Sequence, residues 1–379
     1  MPGKWLYILF SISCVLTFTP VLCFADIYEW QAILLNEESC EALREYVKKN
    51  GDAEKAWNRI YKQAEEYLKE SPRPIEVIYY EGLLDSNIKR IQTVEALMDM
   101  RKLAYFYYAD IITRKPVYKR KIKEFILAWV NAYKPTGNPV NENKLEAIYL
   151  AYSKNRFYFS KREQQKVDTW IKAIAEAELN RKNVPMTNWQ TKRIKLILYS
   201  GIILNNTNYK KYTVESYKEY VSYSLRPDGS SLDFEQRDAL AYHIGGIKPL
   251  ILFGIVYDQF KKEFSGPFNA FTFEASNGSS VRRSVDFLVP FAVGENQHKE
   301  WVNSQVKLDH ERAAAGLPEY LKGKLFEPSK SISLFEMAMY FDKDYRNVIT
   351  TIFDSGADNE ASKSWTYYVL DAISSQTKI

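Results

Sequence analysis

Histidine and cysteine are scarce in this chain, three of each among 379 residues. They form no cluster with metal-ligand spacing, so neither a metal nor another cofactor is expected. Cys14 and Cys23 lie in an apolar N-terminal run, which leaves Cys40 alone without an internal disulfide partner. Stability must therefore come from packing, and Cys40, within "NEESCEALREYV", reads as a small core residue. Sustained alternation of apolar and polar residues is missing as well, with the short "EVIYYEG" as the best exception, so strands are not expected. No exact repeat and no dense Lys/Arg block is present. The formal charge of +5 is thus mildly basic without a phosphate-tracking stripe, and nucleic acid is not an expected partner.

What is present begins with Lys4, the apolar run "WLYILFSISCVLTF" and the small residues of "CFA". This is the pattern of a secretory signal peptide over residues 1–25, too short to span a membrane. A lipoprotein signal would centre on Cys23, but Leu22 is bulky for the position before a lipidated cysteine. Residues 26–379 are expected to form a single domain, periplasmic or secreted, monomeric and without a membrane span. Export together with a basic balance favours an acidic polysaccharide as partner. The 28 tyrosines and 8 tryptophans offer flat faces for sugars, although helix packing accounts for most of them.

Helical periodicity runs through nearly all of the remainder. Long amphipathic runs such as "AEKAWNRIYKQAEEYLKESPRP" and "YKRKIKEFILAWVNAYKPTGNP" end at Pro- and Gly-bearing turns. "SKREQQKVDTWIKAIAEAELN" opens with Ser160 followed by Glu163, a capping box. About a dozen helices with short links predict an all-α chain of antiparallel helix pairs, either a superhelical solenoid or a closed or nearly closed ring. The stretch "LRPDGSSLDFEQRDALAYH" (residues 225–243) reads as a turn leading into a helix from about Asp233 to Tyr257, with Gly245 and Gly246 marking close packing or a kink.

That stretch resembles the signature of alginate-lyase-like polysaccharide lyases, in which a DGS turn leads into an Arg-bearing helix start and then a Tyr. "SSVRRSVDFLVPFAVGENQHKEW" and "FSKREQQKVDTWI" are similar to later and mid-chain segments of the family, and the likeness spans roughly residues 90 to 340. The resemblance implies an incomplete (α/α) toroid of helix hairpins that cleaves a polyuronate by β-elimination. Carried over by position, Arg237 and Tyr242 match the family's Arg and Tyr. Asn188 in "MTNWQTKR" matches its carboxylate-binding Asn better than the Asn205–Asn206 pair does. Trp189 and Gln190 then stand where the family often has His, which leaves His243 to fill that role. Arg282, Arg283 and His298 are further candidates for binding polymer carboxylates.

The chemistry explains why these groups are wanted. A lyase removes the C5 proton of a uronate and expels the O4-linked sugar. A donor such as the Asn188 amide or the Arg237 guanidinium neutralises the carboxylate and stabilises the enolate-like transition state. In mannuronate and glucuronate both reacting atoms lie on one ring face, so one tyrosine can take and return the proton. A free phenol ionises near pH 10, hence the need for an adjacent cation such as Arg237 or His243. Guluronate places the two atoms on opposite faces and needs a separate base, for which His243 is the candidate. Against each stands a plainer reading: a packing tyrosine, a helix cap for Asn188, a local salt bridge for Arg237, a solvated face for Arg282 and Arg283. The rival functions are a helical-toroid glycoside hydrolase using Asp228, Asp233, Glu235 and Asp238, whose carboxylates crowd one turn, and a non-catalytic glycan-binding protein.

Overall fold

The computed structural model describes residues 31–355 and 363–374; the signal peptide expected over residues 1–25 lies outside them. Chain order gives α1 (Glu37–Lys49), α2 (Gly51–Tyr67), α3 (Ile88–Thr113), α4 (Pro116–Ala132), the single turn α5 (Pro139–Glu142), α6 (Glu146–Asn155), α7 (Lys161–Asn180) and α8 (Asn188–Ile203). There follow α9 (Thr207–Ser224), α10 (Leu232–Arg237), α11 (Leu240–Gln259), α12 (Val281–Ala292), α13 (Lys307–Ala314), α14 (Ile332–Ala338), α15 (Tyr345–Asp354) and α16 (Trp365–Ser374). Among the described residues there is no strand, only two isolated bridges, and "EVIYYEG" is irregular backbone. The Ser160–Glu163 capping box forms as expected at the start of α7.

The helices sort into two layers, and their residue patterns explain which goes where. Helices α3, α6, α8, α11 and α14 neighbour one another in succession, and α16 and α1 complete the circuit back to α3. Outside them lie α2, α4, α7, α9, α12 and α15. An outer helix needs one apolar stripe: α12 buries Val281, Ser284, Val285, Leu288 and Ala292, at helical spacing along a single face. An inner helix is covered on all sides, and α11 buries residues around its whole circumference. The outcome is a toroid of helix hairpins rather than a solenoid. By length and composition α11 could cross a membrane, yet it lies inside the ring against α8, α12 and α14.

One expected helix is two. Asp238 adopts a left-handed backbone (φ 51°, ψ 46°) and ends α10, so α11 starts afresh at Leu240. Asp and Asn tolerate this conformation better than most residues.

Polar groups hold the centre of the ring. The buried Glu146 carboxylate of α6 accepts hydrogen bonds from Lys195 Nζ (2.8 Å) and Tyr199 OH (2.8 Å) of α8, and from Gln31 Nε2 (3.2 Å). Gln31 is itself fixed to α16, its N–H donating to Thr366 Oγ1 at 2.7 Å and its carbonyl accepting from that hydroxyl at 2.9 Å. One carboxylate thus ties two inner helices to the point where Gln31 meets α16. Desolvation lowers Lys195 and Glu146 counters it. Glu146→Gln leaves that ammonium buried without its counter-ion and is expected to destabilise the fold by about 3–5 kcal/mol, read as a lower midpoint in chemical denaturation.

Candidate active site

The break at Asp238 assembles the site. The segment after α12 clasps it: Asp238 O accepts from Trp301 N–H (2.8 Å), and Asp238 Oδ2 accepts from Asn303 N–H (2.8 Å). The buried Glu300 carboxylate accepts from Leu240 N–H at 2.6 Å and caps the new helix. Burial raises that carboxyl, while the N–H groups of Leu240 and Ala241 hold it down. In an unbroken helix residues 237 and 242 would point about 140° apart. Because the helix breaks, the Arg237 guanidinium lies 3.8 Å from the centre of the Tyr242 ring.

A second helix completes this arrangement. Asp309 and Arg312 stand three apart on α13 and share a face. Asp309 forms an ion pair with Arg237 and accepts from Ser304 Oγ (2.7 Å). Arg312 Nη1 donates to Tyr242 OH at 3.0 Å. Positive charge therefore sits at the oxygen that becomes negative when the phenol gives up its proton. Trp301 packs edge-on to Tyr242 (5.7 Å between centres) and stacks near Tyr320 (5.0 Å), over which Arg312 also lies (4.7 Å). Burial and the neighbouring Tyr242 push the Tyr320 phenol above its ordinary value. Neither Asp309 nor Arg312 stands out in "KLDHERAA"; their only signal is the three-residue spacing of opposite charges.

Asn188 joins the site through α10. Its backbone N–H donates to Asp233, whose carboxyl lies on α10 five residues before the break. Burial raises Asp233 to about 6, against the opposing charges of Lys192 and Arg237. Gly246 allows Asp233 to approach closely here. A Cβ at that position would meet Asp233 Oδ2 at 2.8 Å, whereas Gly245 faces open space. Asn188 and Lys192 lie one turn apart on the same side of α8, continued downward by Lys195. Lys192 is half-buried, and desolvation with the nearby Lys144 lowers it to about 8. Lys192 was not among the residues expected from the sequence.

Several expected site residues are placed elsewhere. His243 is fully buried: Nδ1 lies 2.9 Å from Ser231 Oγ and Nε2 lies 2.8 Å from Ser284 O. A carbonyl only accepts, so Nε2 carries the proton and Nδ1 accepts from Ser231, whose oxygen in turn caps α10. With both nitrogens occupied and no solvent access, His243 cannot reach a sugar; it pins α10 to α12. Gln190 is buried as well, and Trp189 faces the Arg181 guanidinium at 5.3 Å. Arg282 pairs with Asp342 (2.8 Å) and Arg283 with Glu274 (3.3 Å) on the outer layer. His298 Nε2 lies 3.1 Å from Asp238 O and its ring packs on Phe234 (5.1 Å), so it buttresses the break. Asn206 caps α9, beyond the far end of α8 from Asn188. No group of three or more His, Cys, Asp or Glu residues among those described could hold a metal ion.

A tyrosine flanked by guanidinium groups suits an enzyme that handles an acidic sugar polymer. The alginate lyase family model matches residues 45–301; the chain belongs to that family and is a polysaccharide lyase. Among solved structures, an alginate lyase from Bacteroides ovatus superposes with a TM-score of 0.63 at 10% identity, covering 90% of this chain and 99% of that one. Alginate lyase A1-III from Sphingomonas species A1 gives 0.53 at 15% identity, covering 79% and 95%. At such identities the likeness establishes the helical toroid and not the residue roles. A comparison with curated protein sequences finds no match.

The burial of His243 has a measurable consequence. Its imidazole is lowered by desolvation to about 4. A histidine held neutral in the fold contributes fully above its unfolded pKa of about 6.5, and the contribution falls as the pH drops towards 4. The stability lost in His243→Ala is therefore expected to be larger at pH 7.5 than at pH 4.5, by roughly 2.5 kcal/mol. Paired urea titrations of wild type and variant at the two values check this.

Proposed function

We propose that this polysaccharide lyase cleaves a β-linked polyuronate, poly-mannuronate (alginate) or glucuronan, by β-elimination with Tyr242 as the proton-transferring group. The observation that carries the reading is the state of Tyr242: Arg312 donates to its oxygen while Arg237 covers its face. Tyr242 removes the C5 proton, the electrons form the C4–C5 double bond, and the proton passes to the departing O4. Asn188 and Arg237 neutralise the carboxylate and stabilise the enolate-like state. Arg237 acts within its ion pair to Asp309, so its charge reaches the sugar at reduced strength.

The carboxylates of the rival hydrolase are already engaged, which favours elimination. Asp228 accepts from Ser230 (2.9 Å), Glu235 pairs with Arg226 (2.6 Å), Asp238 holds the clasping segment and Asp233 is buried against Gly246. Wild-type protein on poly-mannuronate or glucuronan is expected to generate the ultraviolet absorbance of an unsaturated uronate. Tyr242→Phe should lose turnover by at least about 1,000-fold and keep its affinity for the polymer. New reducing ends without absorbance would replace this reading with hydrolysis.

The enzyme is further proposed to be periplasmic or secreted and monomeric. Support for export comes from the signal pattern around Lys4 and "CFA". N-terminal sequencing of the exported protein should read from Asp26; a retained leader would count against export.

A further inference from the structure

The resemblance leads one to expect a histidine beside Asn188; Trp189 and Gln190 stand there instead, and His243, the candidate for that role, is not available. Trp189 lies against Arg181 and His243 is sealed in the core. Adjacent helical positions diverge by about 100°, whereas residues four apart return to the same face. Lys192, one turn below Asn188, therefore projects from the helix face that Asn188 occupies.

The surroundings of Lys192 are those of a cation awaiting an anion. It retains access to solvent, and no described residue accepts a hydrogen bond from it or pairs with it in a salt bridge. The charged groups that face it come from four elements: Lys144 in the turn before α6, Glu81 on the α2–α3 connection, Lys195 on its own helix and Asp233 on α10. Lys195 is engaged with Glu146. Asp233 is committed to the Asn188 N–H and to Tyr220 OH (3.4 Å). Glu81 is close enough to act on both Lys192 and Arg312, and α8, which carries Lys192, packs on α11, which carries Tyr242.

We propose that Lys192 is a second cation, besides Arg237, that meets the carboxylate of the reacting uronate, beside the Asn188 amide and in place of the expected histidine. This rests on the β-elimination reading above. The lysine makes no covalent bond and exchanges no proton with C5 or O4; it neutralises the carboxylate as negative charge spreads into it. An uncharged lysine binds no anion, and free Lys192 is held at about 8 by desolvation and Lys144. Polymer binding near and above pH 8 should therefore draw a proton onto this side chain, since an anion beside it raises its pKa.

The test uses the full chain. Binding of a saturated tetra-mannuronate to Tyr242→Phe, by calorimetry in two buffers of different ionisation heat at about pH 8.5, should show proton uptake. Adding Lys192→Gln should weaken binding roughly 10- to 100-fold and remove the uptake. Adding Lys192→Arg, whose charge persists at any working pH, should remove the uptake and keep most of the affinity. With Tyr242 restored, Lys192→Gln should lower kcat/KM on the polymer by about 100-fold, and Lys192→Arg should remain active with KM flat up to about pH 9.5. A structural pairing with Asp233 would move none of the proton-uptake values. Unchanged affinity and uptake in Lys192→Gln would overturn the proposal, as would an inactive Lys192→Arg with intact binding, which would instead mark Lys192 as the base. Tetra-mannuronate binding without any ultraviolet product from wild type would refute elimination while the calorimetry still decides Lys192.

Discussion

Asp238 turns the chain through a left-handed residue, and the site depends on that turn. A straight helix through this point would hold Arg237 and Tyr242 on different faces. The break lays the guanidinium on the phenol ring and leaves the start of α11 in need of a cap, which the buried Glu300 provides. The segment that brings Glu300 also brings Trp301 against Tyr242 and leads into α13. Asp309 and Arg312 then engage Arg237 and Tyr242 as a reciprocal pair. Each contact holds the next, so the tyrosine oxygen is oriented by elements more than fifty residues apart.

Beneath the site the ring is closed by polar bonds as well as by apolar packing. The Glu146 carboxylate, Lys195, Tyr199, Gln31 and Thr366 link α6, α8 and α16 into one network. Buried ionic groups cost desolvation energy unless every partner is present, so such a network permits one registration of the inner helices and disfavours others. That matters for function, because the heights of Asn188 and Lys192 on α8 relative to Tyr242 on α11 follow from how α8 is seated.

Much of this was legible beforehand. Helix periodicity and the stop signals gave the all-α class, and the capping box at Ser160 predicted the start of α7. The paired glycines did mark a close approach, although only Gly246 makes it, and the neighbour is a carboxylate rather than another helix. His243 misled because scarcity and adjacency to Tyr242 drew attention to it. Neighbouring positions on a helix face different ways, and here Tyr242 faces the two guanidinium groups and His243 the core. Arg282, Arg283 and His298 were recognisable as polar groups, but a sequence does not reveal whether a charge already has a protein partner.

By itself the sequence determined what local chemistry controls: where helices run, where turns break them, that packing rather than disulfides holds the fold, and that a tyrosine follows a DGS turn at helical spacing. Only the tertiary structure decided which charges meet that tyrosine. Arg312, at its oxygen, lies seventy residues away in sequence, and the break at Asp238 is what lays Arg237 on its ring; both contacts arise from proximity that exists only once the chain has folded.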